Sequence, residues 1–314
     1  MTGVASVNAK VRRALGALGR LVRLDNRVAA LQVQLERQAV ETGRLHASMN
    51  RVREAGSLAD VEFKVFSQYG DDGIISYLID TVVPPVRKFV EFGVQSYSEA
   101  NTRFLLVTRN WSGLIMDGRP DLQALLRADP IFRRHDLKVR SAFVTAENIN
   151  DLLVQEGFDG EIGLLSIDID GNDYWVWRAL RTANPTIVVS EFNSAFGPSH
   201  PWTVPYAPSF DRTRYHHSNL VYGSSITCLC DLAEEKGYSF VGCNSAGNNA
   251  YFVRKDRLNG LRVLSPEEGY VESKFSESRD PQGRWTFLKG ADRLAAIRGV
   301  EVFNTRAGRI ERIP

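Results

Sequence analysis

The chain of 314 residues predicts an α/β fold, a doubly wound and mostly parallel sheet behind a long N-terminal helix. Three observations predict it. From about residue 57 onward, short apolar runs alternate with segments of helical period, the pattern of a parallel sheet covered on both faces. Three of those runs end in a carboxylate (Glu91, Asp117 and Asp168), and ligand sites of open α/β sheets lie at the carboxyl ends of strands. The last two runs are separated by only about six residues, 244–249, whereas a parallel crossover needs a dozen or more, so they form an antiparallel hairpin.

The N-terminal leg comes first. Leu21, Leu24, Val28, Leu31 and Leu35 repeat at alternating spacings of three and four, and the register continues through Gln38, Thr42, Leu45, Met49 and Val52. This is an a/d coiled-coil seam with two polar interruptions, and no proline precedes Pro84. Residues 1–56 hold ten Lys and Arg against four acids, a charge of +6, so the rest of a chain totalling +2 carries −4. Two expectations follow for the leg: a homo-oligomer built through residues 18–52, or a membrane-surface helix over the basic segment 11–23. The acidic body argues against nucleic acid as a partner. Three cysteines, Cys228, Cys230 and Cys243, complete no zinc pattern and suit a reducing cytoplasm, and no apolar run is long enough to span a bilayer.

After a joint at 56–60, residues 71–82 read as a helix with Ile74, Ile75, Leu78 and Ile79 on one face, stopped by Pro84-Pro85. Strands are expected at 88–93, 113–117, 139–144, 164–168 and 186–192. Helices fall between and after them at 101–108, 120–127, 147–155, 174–180 and 225–236. The hairpin 238–243 and 250–254 closes a domain over 57–257. Residues 258–314 remain as a C-terminal extension with a hairpin around 304–308. A seven-stranded, mostly parallel Rossmann-like sheet with an antiparallel last strand fits S-adenosylmethionine-dependent methyltransferases. It does not fit the dinucleotide-binding dehydrogenases.

The first strand-to-helix turn, 91–102, is expected to face a cofactor, with Gly93 letting the backbone approach it and Asn101 near its end. Asp117, about two dozen residues on, suits a carboxylate accepting hydrogen bonds from both ribose hydroxyls. Phe143, near the end of the third strand, joins this cofactor-facing set. The Gly-x-Gly-x-x-Gly fingerprint is absent: Gln95 and Ser98 stand where glycines would cradle a pyrophosphate, a group S-adenosylmethionine lacks. Without a ligand, Glu91 reads as a helix-terminus acid and Asp117 as a turn residue.

Several stretches carry a resemblance. They are Ser67-Gln-Tyr-Gly-Asp-Asp-Gly-Ile-Ile, Phe89-Val-Glu-Phe-Gly-Val, Asn101-Thr-Arg-Phe-Leu-Leu, Trp111-Ser-Gly-Leu-Ile-Met-Asp-Gly and Leu164-Leu-Ser-Ile-Asp-Ile-Asp-Gly-Asn-Asp-Tyr-Trp. Across residues 63–256 the chain resembles the bacterial FkbM-type methyltransferases, S-adenosylmethionine-dependent O-methyltransferases often associated with natural products and surface glycans. The resemblance implies that Glu91, Gly93 and Asp117 contact S-adenosylmethionine.

The fourth strand ends in Asp168-Ile-Asp-Gly-Asn-Asp173. Period-two alternation puts Asp168 and Asp170 on one face, and clustered acids at the mouth of a buried sheet are costly to desolvate. Asp173 precedes Tyr174-Trp-Val-Trp and reads as a helix N-cap, and Asp170-Gly171 as a turn pair. Metal-assisted O-methyltransferases end the fourth strand in an acid and the fifth in an acid with an Asn; Asp168, Glu191 and Asn193 resemble that set, whose oxygens would select Mg²⁺ or Ca²⁺ over zinc. A site without metal is the alternative. Asp168, with Asp170 or His217 of the His216-His217 pair as proton acceptor, is the expected catalytic set. The long segment 193–223 carries aromatics and histidines and is expected to lie over the acceptor.

The leading expectation is an O-methyltransferase acting on a hydroxyl of a glycan or small natural product. A non-catalytic coiled-coil assembly protein with a degenerate methyltransferase domain is the second, and a nicotinamide-dependent oxidoreductase the third.

Overall fold

A computed structural model describes residues 2–314, with side chains described from Val22 onward. The basic segment 11–23, proposed to lie on a membrane surface, and Leu21 of the heptad seam therefore lie almost wholly outside the described side chains. The chain divides into two compact units, residues 1–45 and 46–314. The first is the greater part of one helix, α1 (Thr2–Asn50). Its seam residues Leu24, Val28, Leu31 and Leu35 are 45–63% exposed. Among the described residues no helix is long and apolar enough to cross a membrane.

The second unit follows the expected alternation. Its elements run α2 (Asp71–Val82), β1 (Lys88–Phe92), α3 (Arg103–Arg109), β2 (Ser112–Asp117), α4 (Leu122–Ala128), α5 (Ile131–Arg134), β3 (Leu137–Ser141) and α6 (Ile149–Glu156). Then come β4 (Gly160–Ile167), α7 (Asp173–Ala179), β5 (Ala183–Glu191), β6 (Trp202–Thr203), α8 (Arg212–Tyr215), α9 (Ile226–Glu235), β7 (Tyr238–Cys243) and β8 (Asn249–Arg254). The chain closes with α10 (Pro266–Gly269), α11 (Ala291–Ala296), β9 (Glu301–Asn304) and β10 (Arg309–Arg312).

Seven strands form one sheet in the order β3-β2-β1-β4-β5-β8-β7. The first five are parallel, and β8 runs antiparallel between β5 and β7. The hairpin inferred from the short 244–249 link is thus present. Both sheet faces are buried, as parallel strands require. Val90, Phe92, Leu165, Ile167, Val188 and Phe252 belong to one core, and Phe89, Ile115, Leu164, Ile187, Tyr251 and Val253 to the other.

The C-terminal extension, residues 258–314, carries α10, α11, β9 and β10. They sit in the same compact unit as the main sheet, because β9 pairs antiparallel with β6 in the long loop after β5 and with β10. Phe196, Trp202, Leu220, Ile297, Val302 and Ile313 fill a third core beneath this small sheet. A two-residue strand cannot hold an edge alone, so the C-terminal hairpin is what orders the loop.

Candidate active site

The turn after β1 is held from below. Glu91 is buried, and its carboxylate accepts hydrogen bonds from the amides of Asn101 (2.8 Å) and Thr102 (3.1 Å) and from the Thr102 hydroxyl. Thr102 is the N-cap of α3, so Glu91 supplies the anion that this helix start favours. Burial pushes its carboxyl up to about 7, against the pull of those donors. Glu91 therefore holds the turn after β1 together, and it also lines the cavity beside that turn. Asn101 donates its amide to Ser166 of β4 (3.1 Å), which closes the other end of the turn.

Gly93 follows at φ +77, where a Cβ would run into the Asp168 carbonyl oxygen. Only glycine lets the turn cross the end of β4 at this distance. Two cavities meet here. One, about 200 Å³, is walled by Gly93, Asp117, Phe143, Asp168, Ile169 and Phe210. The other, about 390 Å³, is walled by Gln68, Gly93, Ser96, Asn101, Asp168 and Asn249. Gly93, Gln95 and Asp168 border both. The sequence-adjacent helices change sides between β1 and β4, and this switch point is where doubly wound sheets bind ligands.

Asp117 ends β2 with one oxygen accepting from the Gln95 amide and the other from the Arg119 amide, each at 2.8 Å. Phe143 lies beyond β3, which stops at Ser141, and remains 55% exposed against Gly118. An exposed aromatic at a cavity wall is an apolar face without a partner.

The acids after β4 separate into three roles. Asp173 is the first residue of α7, with Asn172 as the N-cap, one residue earlier than expected. Its oxygens accept from the amides of Ile169 (2.9 Å) and Gly171 (3.0 Å), so it fixes the reverse turn, and burial lifts its carboxyl to about 6. Asp170 takes the left-handed conformation (φ +56) and pairs with Arg212 at 3.1 Å. Asp168 alone stays clear of such work. No hydrogen bond from a described residue reaches its carboxylate, and burial, then the charges of Asp170 and Asp173, push its pKa well up.

Glu191 ends β5. The register that sets Ile167 beside Ser190 brings Glu191 level with Asp168, and Asn249 of β8 lies opposite Glu191. One Glu191 oxygen is buried without a partner, and burial, followed by the Asp168 charge, raises its pKa. Asn193 departs from the ligand role. Its side-chain oxygen accepts from the Ala195 amide (3.0 Å), and its NH₂ donates to the carbonyls of Leu220 (2.8 Å) and Tyr222 (3.0 Å). It therefore caps the short turn Ser194–Phe196. Among the described residues no group of three or more His, Cys, Asp or Glu is placed to hold a metal ion. His217 is exposed against the His216 ring (4.1 Å between centroids) and borders neither cavity; His216 instead bonds Ser218.

Three further residues shape the site: Phe210, one of the loop aromatics expected over the acceptor, and Arg212 and Asp71, to which the sequence assigned no role. Phe210 packs where a Cβ on Gly171 would stand and reaches the smaller cavity. Arg212 lies over the Tyr222 ring (3.9 Å) and donates to the Asn219 carbonyl, which leaves it facing Asp170. Asp71 accepts from Asn244, Asn249 and Tyr251 and so pins the start of α2 to β8. Asp71 lies in one of the stretches that carry the resemblance, yet its partners in the β7–β8 hairpin are 173–180 residues away, and Asp170 is 42 residues from Arg212.

The strand order, the inserted antiparallel β8 and a cleft at the switch point define the Rossmann-like fold of class I methyltransferases. Solved structures of that class are similar to this chain at low identity. An SAH-bound methyltransferase from Podospora anserina is 18% identical over 69% of this chain and 88% of its own, with a TM-score of 0.38. An O-methyltransferase from Bacillus cereus in complex with SAH is 13% identical over 69% and 91%, with a TM-score of 0.35. An O-methyltransferase family protein from Burkholderia thailandensis is 13% identical, with a TM-score of 0.34; the match takes in 59% of this chain and spans 58% of that protein's length. No protein-family model and no curated protein matches the sequence.

Proposed function

We propose that the chain is an S-adenosylmethionine-dependent O-methyltransferase, of the FkbM type that its motifs resemble, acting on a hydroxyl of a glycan or small natural product. The observation that carries this reading is the pair of cavities sharing Gly93 and Asp168 across the ends of β1 and β4. Their donors and acceptors fit the cofactor. Asp117 offers carboxylate lone pairs to the ribose hydroxyls, Phe143 and Ile169 offer apolar faces to the adenine, and Gln68 and Asn101 offer amides to the amino-acid end. When bound, the cofactor supplies an electrophilic methyl group. Asp168, whose carboxylate no donor occupies, takes the acceptor's proton, and Asp170 with Arg212 holds the rim of the acceptor side. No step requires Asp170 or His217 as the base.

The reading needs no Mg²⁺. With Asn193 committed to three backbone bonds, Asp168 and Glu191 are what remains of the expected ligand set. Activity unchanged by EDTA is the expected result, and loss restored by Mg²⁺ would refute this part. A nicotinamide role is disfavoured by β8, which a dinucleotide-binding dehydrogenase sheet lacks.

We also propose that α1 joins copies of the chain through its exposed seam. The three free cysteines suit the reducing cytoplasm. Methyl transfer from labelled S-adenosylmethionine to a panel of hydroxylated glycans and polyketide-like phenols tests the activity. Normal cofactor binding with no transfer to any acceptor would favour the non-catalytic assembly role.

A further inference from the structure

We propose that a cavity distinct from the cofactor cleft binds a small ligand through a carboxylate held by Arg293. The cavity, about 290 Å³, lies between the turn that follows β5 and the start of α11, with Ser194, Ser199, His200, Glu272 and Arg293 on its walls.

Arg293 is 3% exposed, and its Nη1 donates to the Ser194 hydroxyl at 3.0 Å. Its Nε is buried without a partner, and no carboxylate of a described residue makes an ion pair with it. A buried guanidinium without an anion is costly, which is why buried charges are paired. Arg103, the other deeply buried arginine among the described residues, follows that rule: it pairs with Asp129 and lies over the Phe66 ring. Arg293 breaks it beside an open cavity.

A second donor stands next to it. The Ser194 oxygen already accepts from Arg293 and from the Ser273 amide (3.2 Å), so its own O–H is left to donate. A planar guanidinium edge beside a hydroxyl suits a carboxylate. Glu272 on the same wall disfavours a dianion such as phosphate and can accept from a hydroxyl of the ligand. The ligand class that satisfies all three groups, Arg293, Ser194 and Glu272, is a hydroxylated monocarboxylate, such as a sugar acid. The inference does not depend on methyl transfer.

Thermal unfolding of the full chain tests it with D-glucuronate as the probe, D-glucose as the neutral control and inorganic phosphate as the competing anion. Glucuronate is expected to raise the midpoint by about 2–4 °C at concentrations well above its Kd, with no shift from glucose and a smaller one from phosphate. Arg293→Met abolishes the response. Ser199→Phe, at an exposed rim position, blocks entry with Arg293 intact; it keeps the unliganded midpoint and also loses the response. No shift in the wild type, a larger shift with phosphate than with glucuronate, or a wild-type response in Ser199→Phe would each overturn the proposal.

Discussion

Asp168 has the one carboxylate in its cluster that the fold leaves unused. Asp173 is spent on two amides and Asp170 on Arg212, so replacing each has a different consequence. Asp168→Asn is expected to lower kcat by about 10²–10⁴-fold while cofactor affinity changes only a few-fold, measured by turnover and calorimetry on the same protein. Because burial raises the Asp168 pKa, turnover should climb with pH as the proton leaves. Gly93→Ala is expected to destabilise the fold by about 2–4 kcal/mol, since the added Cβ meets a backbone oxygen and a positive φ as well; a urea midpoint equal to that of the wild type would contradict this. Glu91 gives a pH signature. Its folded pKa, about 7, lies above the ordinary 4.5, so stability is highest below about pH 4.5 and falls as pH rises through 7. Asp72 and Asp173, each raised to about 6, act in the same direction. Glu91→Gln should therefore flatten, without abolishing, the decline in urea midpoint between pH 5 and 7.5.

At the scale of elements, much of the architecture was legible because apolar period and strand-end acids are local properties. Strands β1, β2, β4, β5, β7 and β8 fall where alternating runs place them, and the short link between the last two dictates their antiparallel pairing. What was not legible is the traffic between elements. Phe143 was expected at a strand end, yet β3 stops at Ser141 and releases it into the cavity wall. Asn193 shows the same limit: its type and spacing resemble a ligand set, while its amide is used by carbonyls about thirty residues away. Strand β6, only two residues long, has no periodicity to read and exists because β9 covers it. Phe143→Ala is expected to weaken cofactor binding by about tenfold through loss of an aromatic face. Unchanged affinity in a calorimetric titration would place the adenine elsewhere.

In the molecule as a whole, the proposed class I cleft binds S-adenosylmethionine and the leg adds self-association. The seam of α1 predicts a concentration-dependent oligomer in sedimentation, reduced to monomer by Leu24→Asp with Leu31→Asp while the fold of 46–314 persists. The cleft itself is tested most directly by calorimetric titration of the full chain with S-adenosylhomocysteine, the cofactor's demethylated product. One site per chain is expected, with affinity lowered at least tenfold by Asp117→Ala because the ribose hydroxyls lose their acceptor. No heat of binding to the wild type, or binding indifferent to Asp117→Ala, would contradict it.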